Sequence, residues 1–242
     1  MPKTYLIFFT GRSGSTWLKD LCEGTGRLGR PGEIFNRQTG PRNADLPLDE
    51  FVPKVIARNT RGGVFGAELT FVHMRDTFGS MARVLDFFPD LQPIFLIRED
   101  IVLQSISGVR KRQTKIGHSH NPAAAVDNAG EAQFTYDGAA IKAGINMRML
   151  SEKKLEAAFA EHGLDPLRLS YERNVRNPAG ALNAIAERLG EPPFEALPES
   201  SYSVLRTDKN EAFAERFRRR HPFYMRRVAR ARAATLARLV DY

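Results

Sequence analysis

The apolar and polar positions divide the chain into short unbroken apolar runs separated by longer stretches of helical spacing. Residues 5–9, YLIFF, are apolar throughout and stop just before Gly11. A run of that length bounded by a glycine turn reads as a strand buried on both faces. Beyond the turn, Trp17, Leu18 and Leu21 share one face of a helix over residues 16–22. Strand, tight turn and helix form the opening unit of a parallel-sheet fold. The same reading places a second strand within GGVFGAELTF (62–71) and an amphipathic helix over MRDTFGSMARVLDFFP (74–89). A third strand follows at PIFLI (93–97), ending at Arg98, then a helix over 99–113 with Asp100 as its N-cap. A long helix over 140–163 stops at Gly163, and PLRLSYE (166–172) supplies a fourth strand. The last clear helix, 178–190, is opened by Pro178 and closed by Gly190.

Strands alternating with helices predict an α/β fold with a central parallel sheet flanked by helices, read as a single domain over residues 1–242. Two stretches fall outside this pattern. Residues 26–47 are rich in Gly, Pro, Asn and Arg, which suits a binding segment more than a linker. Residues 117–132 turn to His, Asn, Ala and Gly and read as a mobile loop or lid.

Charge narrows the classes. The formal net charge is +8, which favours acidic partners such as nucleic acid, anionic lipid or phosphorylated ligands. Much of the excess lies in residues 216–238, which hold no carboxylate. Phe223, Val228, Leu236 and Leu239 interrupt those arginines, as in a helix packing its apolar side on the domain or a second subunit. No recognition motif accompanies the charge, so a nucleic-acid partner is not expected. Cys22 stands alone, which excludes a disulfide framework and a cysteine zinc site and makes a reducing, cytoplasmic setting the expectation. No apolar run approaches the roughly 20 residues of a membrane-spanning helix, and no small-residue cleavage site follows the first strand.

The chemistry is expected where strands end. In GRSGST (11–16), Gly14 lets the backbone approach a ligand, Ser13, Ser15 and Thr16 add hydroxyls, and Arg12 adds a fixed charge. With the unpaired amides of a helix start, these make a cradle for phosphate or sulfate. The alternative is a serine-rich helix cap without a ligand. The turn lacks the lysine of a Walker A loop, and Arg98 stands where a magnesium carboxylate would be expected, although Glu99 and Asp100 adjoin it. A phosphate donor that needs no metal fits better. Arg98 also sits on the sheet edge where α/β folds bind ligands. Of Ser105 and Ser107, roughly 200° apart on a helix, only one can face such a ligand.

Taken in order and approximate spacing, GRSGSTWL, PGEIFN, GVFGAEL, LIREDIVLQSIS and LRLSYE resemble the bacterial sulfotransferase family that includes trehalose 2-sulfotransferase. RTDKNEAFAERF, near the C-terminus, resembles that family's tail. The resemblance implies a P-loop-like sulfotransferase fold, 3′-phosphoadenosine 5′-phosphosulfate (PAPS) as the donor co-substrate, no metal, and a homodimer. It implies that Arg12, Ser13, Gly14, Ser15 and Thr16 hold the 5′-phosphosulfate, and that Arg98 and Ser107 hold the 3′-phosphate, with Ser105 as the substitute for Ser107. Glu33 matches the glutamate taken as catalytic base, with Arg12 stabilising charge on the bridging oxygen. A carbohydrate or glycolipid hydroxyl is the implied acceptor, shaped by polar loops at 34–62 and 117–135.

Two departures bear on that acceptor: Glu68 where the family often has a lysine, and Arg30 where many relatives carry an acid. His118 and His120 are rival bases, or a solvated pair, or half of a metal site, and His73 could approach the acceptor. His162 and His221 read as surface residues, Glu172 as a loop anchor, and Trp17 as core or as a base-stacking ring. A kinase-like P-loop phosphotransferase and a non-catalytic nucleotide-binding protein are the competing classes.

Overall fold

The computed structural model describes residues 2–36, 46–115, 132–198, 200 and 207–242. Four strands, β1 (Lys3–Phe9), β2 (Val64–Leu69), β3 (Gln92–Ile97) and β4 (Leu167–Ser170), form a parallel sheet in the order β2-β1-β3-β4. Around it lie α1 (Ser15–Gly24), α2 (Leu48–Asn59), α3 (Phe71–Phe78), α4 (Met81–Phe87) and α5 (Ile101–Thr114). The chain continues through α6 (Gly138–Glu161), α7 (Tyr171–Arg176), α8 (Pro178–Arg188), α9 (Asp208–Arg220) and α10 (Pro222–Leu236).

β1 shows why the run was unbroken. Leu6 and Phe8 enter one apolar layer with Phe35, Phe65, Phe95 and Phe159. Tyr5, Ile7 and Phe9 enter the opposite layer with Leu18, Leu21, Cys22, Leu182 and Ile185. A parallel strand covered on both faces has no polar side to alternate with. Phe8 meets Phe159 edge-on, with ring centroids 5.1 Å apart, and burying such a ring contributes roughly 3 kcal/mol. Trp17 packs, partly buried, against the second layer. Burial pushes the Cys22 thiol up to about 12, so it stays an inert core group at neutral pH.

Sheet order fixes where a ligand can enter. β2 and β3 flank β1 on opposite sides, so the connections that leave β1 and β3 run in opposite directions across the sheet. Open α/β sheets bind ligands at this switch point. The β1–α1 turn and the β3–α5 turn both emerge there. Asp100 caps α5 as expected, its Oδ1 accepting from Val102 N at 3.1 Å and Leu103 N at 3.0 Å.

Three expectations are corrected. The helix anticipated over 74–89 is two helices, because Gly79 takes a left-handed φ of 82° and Ser80 caps α4. The polar loop anticipated over 34–62 contains α2, which accommodates Pro53 and buries Phe51, Val52 and Val55. The basic tail is two helices meeting at His221 and Pro222; Val228 and Leu239 are buried, but Phe223 is 80% exposed. Of the lid anticipated over 117–132, residues 117–131, with His118 and His120, lie outside the described residues. Among the described residues no helix is long and apolar enough to cross a membrane.

Candidate active site at the switch point

The β1–α1 turn opens a helix without a side-chain cap. Leu18 N donates to Gly14 O at 3.1 Å, which leaves the amides of Ser15, Thr16 and Trp17 ahead of the first helical hydrogen bond. Arg12 (φ 71°) and Gly14 (φ 84°) are both left-handed, and such a backbone gathers successive amides around an anion. Gly14 is also required by space, since a Cβ there would lie 2.2 Å from the Tyr171 ring. The Ser13 hydroxyl is fully buried and has no hydrogen-bond partner among the described residues. Thr16 is half-buried in the first turn of α1.

The side chains anticipated from two distant segments meet here. Arg12 Nε donates to Ser107 Oγ at 3.0 Å, and Arg98 Nη1 donates to the carbonyl of Arg12 at 3.2 Å. Arg98 lies over the Tyr171 ring, 4.7 Å from its centroid. Ser105, the substitute for Ser107, turns elsewhere: it is buried and donates to Ile101 O at 2.8 Å. Glu172 is the anchor the sequence suggested. Its carboxylate accepts from Glu99 N at 2.8 Å and Asp100 N at 3.1 Å, fixing the turn that carries Arg98.

Two arginines escaped the sequence reading. Arg148 of α6 is buried, with Nε on Gly11 O at 3.3 Å and Nη1 on Gly144 O at 3.0 Å. Arg232 of α10 is held by Glu152 at 2.8 and 2.9 Å and donates to the carbonyls of Glu99 and Arg98 at 2.8 and 2.7 Å. In the sequence both are arginines within helices, a pattern shared by solvated faces; the only local hint is Gly144, one turn before Arg148. The like charges leave a signature. Burial, then Arg98 and Arg110, lower the Arg12 pKa. Burial, then Arg112, Arg12 and Arg98, bring Arg148 down to about 10. Crowded cations of this kind are relieved by an anion.

On the β2 side stand two carboxylates. Glu33 belongs to a segment pinned at both ends: Gly32 O accepts from Glu68 N and Ile34 N, each at 2.8 Å. Phe35 is locked among Phe51, Phe78 and Phe88. The Glu33 side chain is 41% exposed, with Oε2 3.9 Å from His73 Nε2. Asn36 Nδ2 donates to the same oxygen at 3.1 Å. Burial lowers the His73 pKa, against the pull of Glu33 and Asp76, so the ring is neutral at pH 7.

Glu68, the departure from the family's frequent lysine, is a buried group. It is 2% exposed, and one carboxyl oxygen has no partner among the described residues. Burial and, next, Glu33 push its pKa up to about 7, while a hydrogen bond with Ser15 and the charge of Lys19 oppose the rise. Arg30 is paired with Glu23 at 2.7 Å. His162 and His221 are half-exposed, and His221 packs on Phe217.

Comparison with known proteins identifies the family and supports the fold. The family model described as Stf0 sulphotransferase matches residues 4–220. Trehalose 2-sulfotransferase from Mycolicibacterium smegmatis is 26% identical over 260 residues, covering 90% of this chain and 95% of that protein. The enzyme of the same name from Mycobacterium tuberculosis is 26% identical over 263 residues, covering 91% and 96%. Among solved structures, a sulfotransferase from Alicyclobacillus acidocaldarius superposes with a TM-score of 0.55 at 15% identity, covering 97% of this chain and 95% of that one. The sulfotransferase domain from the curacin biosynthetic pathway gives 0.50 at 15% identity, covering 81% and 76%.

Proposed function

Since the chain belongs to the Stf0 sulphotransferase family, we propose that it moves a sulfuryl group from PAPS to a hydroxyl of a carbohydrate acceptor. One observation carries the donor assignment. An uncapped helix start and the side chains of Arg12, Arg98 and Ser107 meet at one sheet edge, with Arg12 bonded to Ser107 at 3.0 Å. That combination suits a ligand with two anionic groups. The amides of residues 15–17 and the unpartnered Ser13 hydroxyl would take the 5′-phosphosulfate. Arg98 and Ser107 would take the 3′-phosphate, and Arg12 lies between the two.

In the reaction the acceptor oxygen forms a bond to sulfur as the bond from sulfur to the bridging phosphate oxygen breaks. The hydroxyl proton passes to Glu33, and adenosine 3′,5′-bisphosphate leaves. General-base help of this kind is worth about 10²–10⁴ in rate. Arg12 and the helix amides would stabilise charge on the bridging oxygen, a larger effect in most enzymes. The carbohydrate acceptor draws support from the name of the two mycobacterial relatives. Asn36 and His73, both beside Glu33, add the hydrogen-bonding groups a sugar needs.

A magnesium-dependent phosphotransferase fits less well. Asp100 is committed to capping α5 and to Arg218 at 2.6 Å, and Glu99 to Ser170 and Arg173. Calorimetric titration with adenosine 3′,5′-bisphosphate, set against ATP with magnesium, tests the donor. Tighter binding of the bisphosphate supports PAPS, and preference for ATP with magnesium overturns it. Transfer of labelled sulfate from PAPS to trehalose and related sugars tests the acceptor and separates an enzyme from a non-catalytic nucleotide binder.

A further inference from the structure

Arg148 is seated in a slot made by two glycines. On α5, a Cβ at Gly108 would lie 2.8 Å from its Nη2; on α6, a Cβ at Gly144 would lie 3.0 Å from its Nη1. The two glycines leave room for the guanidinium to lie between the helices and reach Gly11, the first residue of the anion-binding turn. Its hydrogen bonds run to backbone carbonyls, Gly11 O and Gly144 O.

Neither bond accounts for the charge. Gly11 O already accepts from Gln104 Nε2 at 3.1 Å, and Gly144 O lies one helical turn before Arg148, where the α-helical backbone amide also donates. Three of the charges acting on Arg148 are Arg112, Arg12 and Arg98; the carboxylate among them, Glu152, is held at both oxygens by Arg232. A neutral side chain of similar length would fill the slot without the repulsion.

From this we infer that Arg148 is a positioning residue of the donor site: a third guanidinium that supports the turn from beneath and is compensated only when an anion occupies the cradle. The inference rests on the donor reading above for its ligand, but on the glycine slot for its residue. It predicts two opposite effects of removing the charge. The empty protein loses a repulsion, and the loaded protein loses an attraction.

The test compares wild type with R148M and R148K by calorimetry, using adenosine 3′,5′-bisphosphate and, separately, pyrophosphate as an anion without a nucleoside. Melting of the ligand-free proteins is measured alongside. R148M is expected to bind both ligands at least about tenfold more weakly and with a shallower dependence on salt. R148K should recover part of the affinity and the salt dependence. Ligand-free R148M should melt no lower than wild type. Unchanged affinity in R148M overturns the inference, as does a lower melting temperature with unaltered salt dependence, which would mark a merely structural side chain. If wild type binds pyrophosphate but not the bisphosphate, the donor reading falls, and Arg148 is judged on the pyrophosphate difference. Binding of neither ligand removes both.

Discussion

Arg232 Nη2 donates to the carbonyl oxygen of Arg98 at 2.7 Å. A helix of the basic C-terminal stretch thus holds the strand end that presents an arginine to the cleft. The same guanidinium grips Glu152 at both oxygens, and both side chains are buried. Part of the positive charge in residues 216–238 is therefore scaffolding: buried Arg232 steadies the β3–α5 turn, and Arg218, at the surface, holds Asp100.

Breaking this pair leaves Glu152 buried without its counter-charge. R232L is expected to lose about 3–5 kcal/mol of stability, measured by chemical denaturation, and to weaken bisphosphate binding. The double variant E152Q/R232M should regain most of the stability, because the orphaned charge goes with its partner. Wild-type stability in R232L would show that the pair carries little.

Glu33 is predicted to act on the acceptor and not on the donor. Glu33→Gln should bind adenosine 3′,5′-bisphosphate within about twofold of wild type while its turnover falls by about 10²–10⁴. Steady-state sulfation kinetics beside calorimetry separate the two effects. Turnover close to wild type would remove Glu33 from the mechanism.

Glu68 should make stability depend on pH in the opposite sense to a salt-bridged carboxylate. Its folded pKa, raised to about 7 from an ordinary 4.5, means that the folded protein binds the extra proton. Stability contributed by the protonated acid is present at low pH and is lost as pH rises from about 4.5 to about 7. Relative to wild type, E68Q should therefore gain stability across that window and level off above it. The gain is on the order of 3 kcal/mol by pH 8. Denaturation midpoints at pH 5 and pH 8 measure it, and equal differences at the two values would contradict the account.

Gly14 is predicted to tolerate no side chain. Gly14→Ala combines a left-handed backbone with a Cβ aimed at the Tyr171 ring, a strain of about 2 kcal/mol or more. Because Arg98 stacks on the same ring, bisphosphate affinity should fall along with the melting temperature. An unaltered affinity would show that the turn does not hold the ligand.

The sequence carried the sheet because buried parallel strands announce themselves as continuous apolar runs; β1 and β3 end where expected, while the run read as 166–172 gives up Tyr171 and Glu172 to α7. It carried the Asp100 cap for the same local reason. α2 was hidden by Pro53 and by the glycine- and proline-rich stretch before it, which together outweigh an apolar face of three residues. The break between α3 and α4 was masked because apolar spacing continues across Gly79 and Ser80. Within the site, Arg12 and Arg98 were legible from their places at strand ends, whereas helical spacing left Ser105 and Ser107 open and only the family resemblance favoured Ser107. Arg148 and Arg232 were not legible, because their partners lie 137 and 134 residues away in the chain. The position of Glu68 was legible and its burial was not, since β2 faces α1 only after the sheet has formed.

A crystal structure of the complex with adenosine 3′,5′-bisphosphate tests the central claim most directly. The account predicts one nucleotide spanning the edge between β1 and β3, its 5′-phosphate on the amides of residues 15–17 and its 3′-phosphate against Arg98 and Ser107, with Arg12 between them. A nucleotide bound elsewhere, or one touching Arg12 while Arg98 faces a separate cleft, would contradict it.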